Sequence, residues 1–501
     1  MIHGSNASGG VINVVMKRGV TATTATFEAG DLGFLRGSAY GAWSLGTGTV
    51  SLGVEHTQED PHAATARTET AAGGIETALM DRRQRGSSVW LRGEWSGLSA
   101  TLHRFESKTL GLAGQTRFDN ATDLVYAGSL ASLNYTRRFD SGLVSVFADV
   151  NNAHPRFEVE NVSGTDDGGF RFANMGRGNN RARLGLRGQR RLSEGVSLLG
   201  GYEYERRSSE AYELFDEASK ATLGQLAPET DIWEQSLYAQ ADLRAGSVRL
   251  LFGARYIRNE LAGSKVTPRA AVVLSIDDKQ SVKWMYAKGF NAPNVVQQVL
   301  NIPGVILGDP DNRPETVSTL EMAYSYQEGN RLVVVNVFHY WTWNFIQRVY
   351  TGNGFEATFQ NAEAFGRSGV ELDFQQRTGR FDFLGNLAYN LAANQIDDDD
   401  LSRRIVPAWT ANFGATARVG GRHQLGGSWR FVSERAAAAA FHRVDLSYEV
   451  TAGRLSVGVT LENALSQAIR SPELGGLLPD RYFPAFSDDQ RWRATMRWLL
   501  L

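Results

Sequence analysis

Arg491-Trp-Arg-Ala-Thr-Met-Arg-Trp498, the last full segment of the chain, runs on a strict two-residue period. Trp492, Ala494, Met496 and Trp498 fall on one side, and Arg491, Arg493, Thr495 and Arg497 on the other. Successive side chains of an extended strand point to opposite faces, so this stretch predicts a strand with one apolar and one cationic face. The same period recurs upstream. In Phe441–Val450, Val444, Leu446, Tyr448 and Val450 oppose Arg443, Asp445, Ser447 and Glu449. Val248, Leu250, Phe252, Ala254 and Tyr256 oppose Arg249, Leu251, Gly253 and Arg255, and Val282, Trp284 and Tyr286 share a face. Helical periodicity is nearly absent. Short alternating segments, punctuated by Gly, Asn, Asp and Ser clusters, run from about residue 21 to the end, so the chain reads as all-β.

Alternation alone fits a soluble sandwich, with its apolar face inward, or a membrane barrel, with its apolar face on lipid and its polar face on a wet lumen. Three features favour the barrel. Arg331–Asn344 and Phe381–Gln395 read as extended for longer than an ordinary strand, and tilted membrane strands need about 9–11 residues. Aromatics gather at segment ends (Trp341, Trp343 and Phe345; Trp492 and Trp498), where an interfacial girdle would sit. Connectors also alternate in length. Short ones are Asp140–Gly142, Ser193–Gly195, Ala245–Gly246, Glu328–Asn330, Thr378–Arg380 and Gly420–Gly421. Long ones are Glu59–Arg83, Val162–Asn180, Ser208–Asp231, Gly289–Glu315 and Gln395–Val406. Short turns on one rim and long loops on the other are the membrane-barrel pattern. The expectation is a transmembrane antiparallel barrel of about 22 strands, a size associated with plugged outer-membrane transporters.

Composition narrows the function. Lys+Arg is 52 against Asp+Glu 54, a net charge of -2, without the basic excess expected of a nucleic-acid partner. Cys is 0, which removes disulfides, thiolate metal sites and cysteine nucleophiles. Mean hydropathy is -0.29, and no run of 18 apolar residues exists for a membrane helix. A β-barrel also has a low mean, because it alternates. The first ten residues carry neither a basic nor an apolar region of a signal peptide.

Four stretches carry a family resemblance. Gly4, Ser5, Ala7, Gly9, Gly10, Val11, Ile12 and Asn13 match, position by position, the Gly-Ser-x-Ala-x-Gly-Gly-Val-Ile-Asn signature. This segment resembles the end of the plug domain of TonB-dependent outer-membrane receptors. Gly289-Phe-Asn-Ala-Pro-Asn294 and Asp309-Pro-Asp-Asn-Arg-Pro-Glu315 are similar to the family elements that bracket an extracellular loop, through Gly289, Phe290, Ala292, Pro293, Pro310, Pro314 and Glu315. Asp309 and Asn312 depart from that pattern. Asn361 to Glu371, with Gly369, resembles a third element, and Leu461-Glu-Asn-Ala-Leu465 a fourth. The terminal Leu501 stands where an aromatic is usual. The resemblance implies a plug remnant over residues 1–19 and a barrel over 20–501, with the signal peptide, TonB box and most of the plug belonging ahead of His3.

Resident chemistry finds little support. There is no His-x-x-x-His or His-Glu motif, so zinc hydrolysis is unsupported, and no strand–GxGxxG–helix or nucleophile elbow occurs. The Gly289–Glu315 loop lacks the histidine that haem capture would favour, and His62 reads as a solvated loop residue. Asp397–Asp400 could hold Ca²⁺, but reads better as a solvated acidic loop, as do Asp166-Asp167 and Asp309 with Asp311. Neither cofactor nor metal is expected. The lumen candidates are Arg249, Arg255, Arg443, Arg491, Arg493 and Arg497. They could attract an anionic chelate, or pair across the wall with acids such as Asp445, Glu449 and Glu462.

The resemblance implies a non-enzymatic, monomeric receptor in outer-membrane lipid. It would take up a scarce, bulky small molecule, foremost a ferric siderophore, and draw energy from the TonB complex through a full plug. A passive pore or non-functional truncated receptor, and a soluble β protein, are the alternatives.

Overall fold

A sheet that faces hydrocarbon has no water to satisfy its edges, so it must close on itself. This chain does so. The computed structural model describes residues 23–69, 75–110, 123–159, 172–175, 178–215, 221–302, 306–351, 357–362, 364–393, 406–435, 438–472, 485–488 and 490–500. Among them, 22 antiparallel strands pair each with the next in sequence, from Thr24–Gly30 round to Arg491–Leu499. The last strand then pairs with the first, Thr24 opposite Leu499 and Gly30 opposite Arg493.

Register turns alternation into continuous bands. On the outer face Tyr135, Val146, Leu186, Tyr202, Leu237, Tyr256 and Val266 stand side by side across seven strands, all exposed. One residue along, Thr136, Ser145, Arg187, Gly201, Tyr238, Arg255 and Thr267 form the matching inner row. Gly201 has a packing role here: a Cβ on it would lie 2.5 Å from the Tyr238 hydroxyl. Trp492, Met496 and Trp498 face outward, as the last strand's alternation predicts. No large central apolar core exists among the described residues. The buried apolar clusters are small and sit near the long-loop rim, such as Ile257, Ala262, Phe290 and Ala292.

The short connectors are hairpin turns. Strands Glu315–Glu328 and Arg331–Trp343 join through two residues, as do Phe365–Thr378 and Phe381–Ala393. The first turn residues, Gly329 (φ 55) and Gly379 (φ 55), supply the positive φ that matches the flanking twist. A longer turn joins Gly263–Ser275 to Gln280–Asn291. Asp277 accepts there from the backbone N–H groups of Lys279 and Gln280 at 2.8 and 2.7 Å. Those bonds, led by the one from Lys279, hold its carboxyl below the usual range.

Two connector readings need correction. Glu59–Arg83 is not a loop: strands Gly48–Glu69 and Ile75–Trp95 continue through it. Pairing skips Asp60 and Pro61, and the register shifts there. Pro61 lacks a ladder N–H, which gave the sequence a loop-like break where the hairpin has only a bulge. The long-loop rim also has two short connections, Gly30 to Leu35 and Asn259 to Gly263. The Ser208–Asp231 connector carries its own two-stranded hairpin, Tyr212–Phe215 with Thr222–Ala227.

Leu237, 60% exposed at the middle of its strand, faces the apolar belt. Leu237→Arg should cost about 2–4 kcal/mol in reversible unfolding from lipid vesicles, and the inward Gln240→Arg far less. Equal costs would refute the face assignment. For Asp277 the sign follows from its depressed pKa. Its stabilisation is present above the unfolded carboxylate value of about 3.9 and is lost as pH falls through the lower folded value. The protection of the Gln280 amide against exchange, relative to its intrinsic rate, should therefore hold at neutral pH and fall only in strong acid; Asp277→Asn should abolish that transition.

Candidate functional site: the lumen below the long loops

Strands Gly142–Val159, Asn179–Ser193, Val196–Ser209, Thr230–Ala245 and Val248–Asn259 project a dense charged ladder inward. Its origin is simple spacing. Asn179, Arg181 and Arg183 alternate on one face, as do Glu203, Glu205 and Arg207 on the neighbouring strand. Asp149 meets Arg183 at 2.8 Å and Arg181 at 3.9 Å. Glu205 bridges Arg181 (2.5 Å) and Arg207 (2.7 Å), and Glu234 lies 3.4 Å from Arg207. Asn259 donates to Glu234 at 2.9 Å. Arg255, 3% exposed, pairs with Glu203 at 2.7 Å and lies over the Tyr238 ring. Four guanidinium groups are matched by four carboxylates, which is what burying charge demands.

Every candidate lumen arginine has an acid beside it. Arg249 pairs with Asp242 at 2.6 Å. Arg443 bonds Asp445 (2.7 Å) and reaches Glu462 (3.2 Å), which also takes Arg493 (3.3 Å). Arg491 meets Glu59 at 3.0 Å and Arg497 meets Glu449 at 3.7 Å. The six do not converge. Arg249 and Arg497 stand near the short-turn rim; higher up, Arg255 belongs to the ladder, Arg443 and Arg493 share Glu462, and Arg491 pairs with Glu59.

Above the ladder, toward the long loops, lies a cleft of about 320 Å³. Asn151, Arg181, Arg207 and Ile232 stand in register on its wall, with Asn179, Ser209 and Thr230 in the next inward row. Asn179 donates to the Tyr212 hydroxyl at 3.1 Å. Ala292, Pro293 and Val295 roof it. The cleft presents carboxamides, hydroxyls and two already paired guanidiniums beside an apolar roof. That suits hydrogen bonding and apolar contact with a small molecule. Among the described residues no group of acids or histidines could hold a metal ion.

The bracketing motif holds this roof in place. Gly289 and Phe290 end strand Gln280–Asn291, with Phe290 buried against Ile257 and Ala292. After Pro293 a short helix, Val295–Val299, starts from a capping box between Asn294 and Gln297. Pro310 and Pro314 flank Asn312, whose Nδ2 donates to the carbonyls of Gln297, Asp309 and Phe359. Glu315 accepts from Ile346 N–H (2.7 Å) and Asn291 (2.9 Å). Asn361 bonds both backbone groups of Arg313 and the carbonyl of Asn344. Asn463, 1% exposed at φ 50, clamps Gln467 in the same manner. Asn312, which departs from the family pattern, and the motif residues Asn361 and Asn463 thus act as loop fasteners. The sequence reading missed Asn312, the carboxamides of the cleft and the acids of the ladder; the i, i+2 charges of strands Asn179–Ser193 and Val196–Ser209 were the available signal. Gly4, Ser5, Ala7, Gly9, Gly10, Val11, Ile12 and Asn13 lie outside the described residues, as do Asp166-Asp167 and Asp397–Asp400.

The Arg255–Glu203 pair offers a direct test. Arg255→Met leaves Glu203 buried without its cation and should cost about 3–5 kcal/mol in vesicle unfolding. Adding Glu203→Leu should recover most of that loss. No recovery would mean that Arg255 acts through packing on Tyr238 rather than through charge.

Comparison with known proteins gives this geometry a family. A family model described as TonB dependent receptor-like, beta-barrel, matches residues 38–464. An iron-regulated outer membrane virulence protein of Vibrio cholerae is 32% identical over 101 residues, which span 19% of this chain and only 16% of that protein. Among solved structures, the siderophore receptor PirA from Acinetobacter baumannii superposes with a TM-score of 0.76 at 13% identity, over 99% of this chain and 83% of that one. The copper transporter OprC gives 0.74 at 15% identity, over 95% and 80%. At such identities the structures share the fold alone. The family match extends over most of the wall, including the loop fasteners around Asn312 and Asn361, and the chain therefore belongs to the TonB-dependent receptor-like β-barrels.

Proposed function

We propose that the chain forms the wall and ligand vestibule of an outer-membrane receptor for energised uptake of a scarce, bulky ligand. The observation that carries this is the placement of the polar cleft. It lies inside a closed 22-strand wall, under loops fastened by Asn312, Glu315 and Asn361. Such a site captures a small molecule on the outer side and performs no covalent chemistry on it. Transport then needs a gate in the lumen. We assign that gate to a plug whose last residues are 1–19, acted on by the TonB complex. A ferric siderophore is the foremost ligand class: one family relative is named as iron-regulated and a structural neighbour as a siderophore receptor. The copper transporter among the neighbours makes other metals the next class to try.

Uptake of ⁵⁵Fe-loaded chelates into cells whose sole receptor of this family is the intact gene product tests the reading. Uptake should saturate and collapse when the proton gradient is dissipated, and planar bilayers should show little conductance. Gradient-independent uptake together with steady ionic conductance would make the protein a passive pore instead.

A further inference from the structure

A second concavity, of about 920 Å³, lies on the outer wall near the long-loop rim. Four outward rows lead up to it, two residues apart along each strand. The lowest belongs to the apolar belt, with Tyr135, Val146, Leu186 and Tyr202. Next come Leu133, Ala148, Leu184 and Tyr204. Above these Ala131, Val150 and Ala182 lie between Leu102 and Arg206. The top row is polar: Arg104, Ser129, Asn152, Asn180 and Ser208. The change from Leu133 and Leu184 to Ser129, Asn152 and Asn180 marks the level at which the wall leaves hydrocarbon.

The trough straddles that boundary. Its floor is apolar, with Ala131, Val150 and Ala182 beside the larger Leu91 and Leu102, and its upper edge carries the Asn152–Asn180 carboxamide pair, bonded at 2.5 Å. Cations bound it at both ends. Arg206 is braced by the carboxylate of Asp231, and Arg104 makes no ion pair among the described residues. An outward guanidinium at the edge of hydrocarbon calls for an anion at the same height, and its planar fork favours phosphate. Polar hydrogen-bonding groups above and a shallow apolar floor below repeat the order of a lipid's headgroup and chain.

We propose that this trough seats a phosphorylated glycolipid of the outer leaflet. Its phosphate lies on Arg104, headgroup hydroxyls or amides lie on Asn152 and Asn180, and an acyl chain lies over Ala131, Val150 and Ala182. The long-loop rim is the outward one, so the outer leaflet supplies the lipid. The trough opens on the outer wall and the cleft on the lumen, with Asn151, Asn180, Arg181 and Ser208 lining both.

Native mass spectrometry of the whole protein in mild detergent tests it, with bisphosphorylated lipid A and the same lipid stripped of its phosphates as probes. The phosphorylated form should be retained roughly tenfold more tightly, the value of about one charge-assisted hydrogen bond. Arg104→Gln should erase that difference. Ala131→Trp fills the floor without touching charge and should displace the phosphorylated lipid. Arg190→Gln, an outward arginine near the short-turn rim, should change nothing. Heat-modifiable migration on gels confirms that each variant is folded. Equal retention of the two lipids, an Arg190→Gln loss equal to that of Arg104→Gln, or a dimer dispersed by Ala131→Trp would each overturn the proposal.

Discussion

The unpaired backbone amide in hydrocarbon is the constraint on which everything else here depends. Each N–H or carbonyl left without a partner in lipid costs several kcal/mol, and a strand edge presents a whole row of them. The pairing of Thr24–Gly30 with Arg491–Leu499 removes the last two edges. Once the wall is closed, each strand has one face for lipid and one for the lumen. The inward positions must then hold whatever polar or charged residues the sequence places there.

That second demand explains the electrostatics. A lumen rich in arginine looks from the sequence like an anion trap, yet the structure gives the candidates carboxylates of their own. Arg255 with Glu203 and Arg443 with Asp445 and Glu462 keep opposite charges on neighbouring inward positions. Arg443 with Glu462 joins adjacent strands, and Arg255 reaches Glu203 across the intervening strand Thr230–Ala245, so attraction acts where like charges would repel. The cost of desolvating these groups is offset within the wall. On the proposed function, selectivity for a ligand rests on hydrogen-bond geometry in the cleft around Asn151, Asn179 and Tyr212 rather than on net charge.

The architecture was legible because alternation survives in strands such as Phe441–Ala452 and Arg491–Leu499. Trp492, Met496 and Trp498 were enough to orient the last strand. The turns at Gly329 and Gly379 were readable because a two-residue loop needs glycine where φ is positive. Legibility stopped where residues act through distant partners. Asn312 fastens Phe359, and Asn361 fastens Arg313, across gaps that no local period encodes. Pro61 misled for the opposite reason: a local breaker was absorbed by a bulge inside a long hairpin. The outer trough was equally invisible, because Arg104 and Arg206 come together only through the register of five strands.

The seam between the two chain ends has a kinetic meaning. Almost every other pairing joins neighbours in sequence and can form as soon as a hairpin is available. The seam joins Thr24 to Leu499, nearly the whole chain apart, and its loop-closure entropy is the largest in the molecule. Hairpins and partial sheets can accumulate early, but none is sealed until the nine residues of the last strand, Arg491–Leu499, arrive. The wall therefore matures in one late step, and damage to that strand would act on assembly far more than its length suggests.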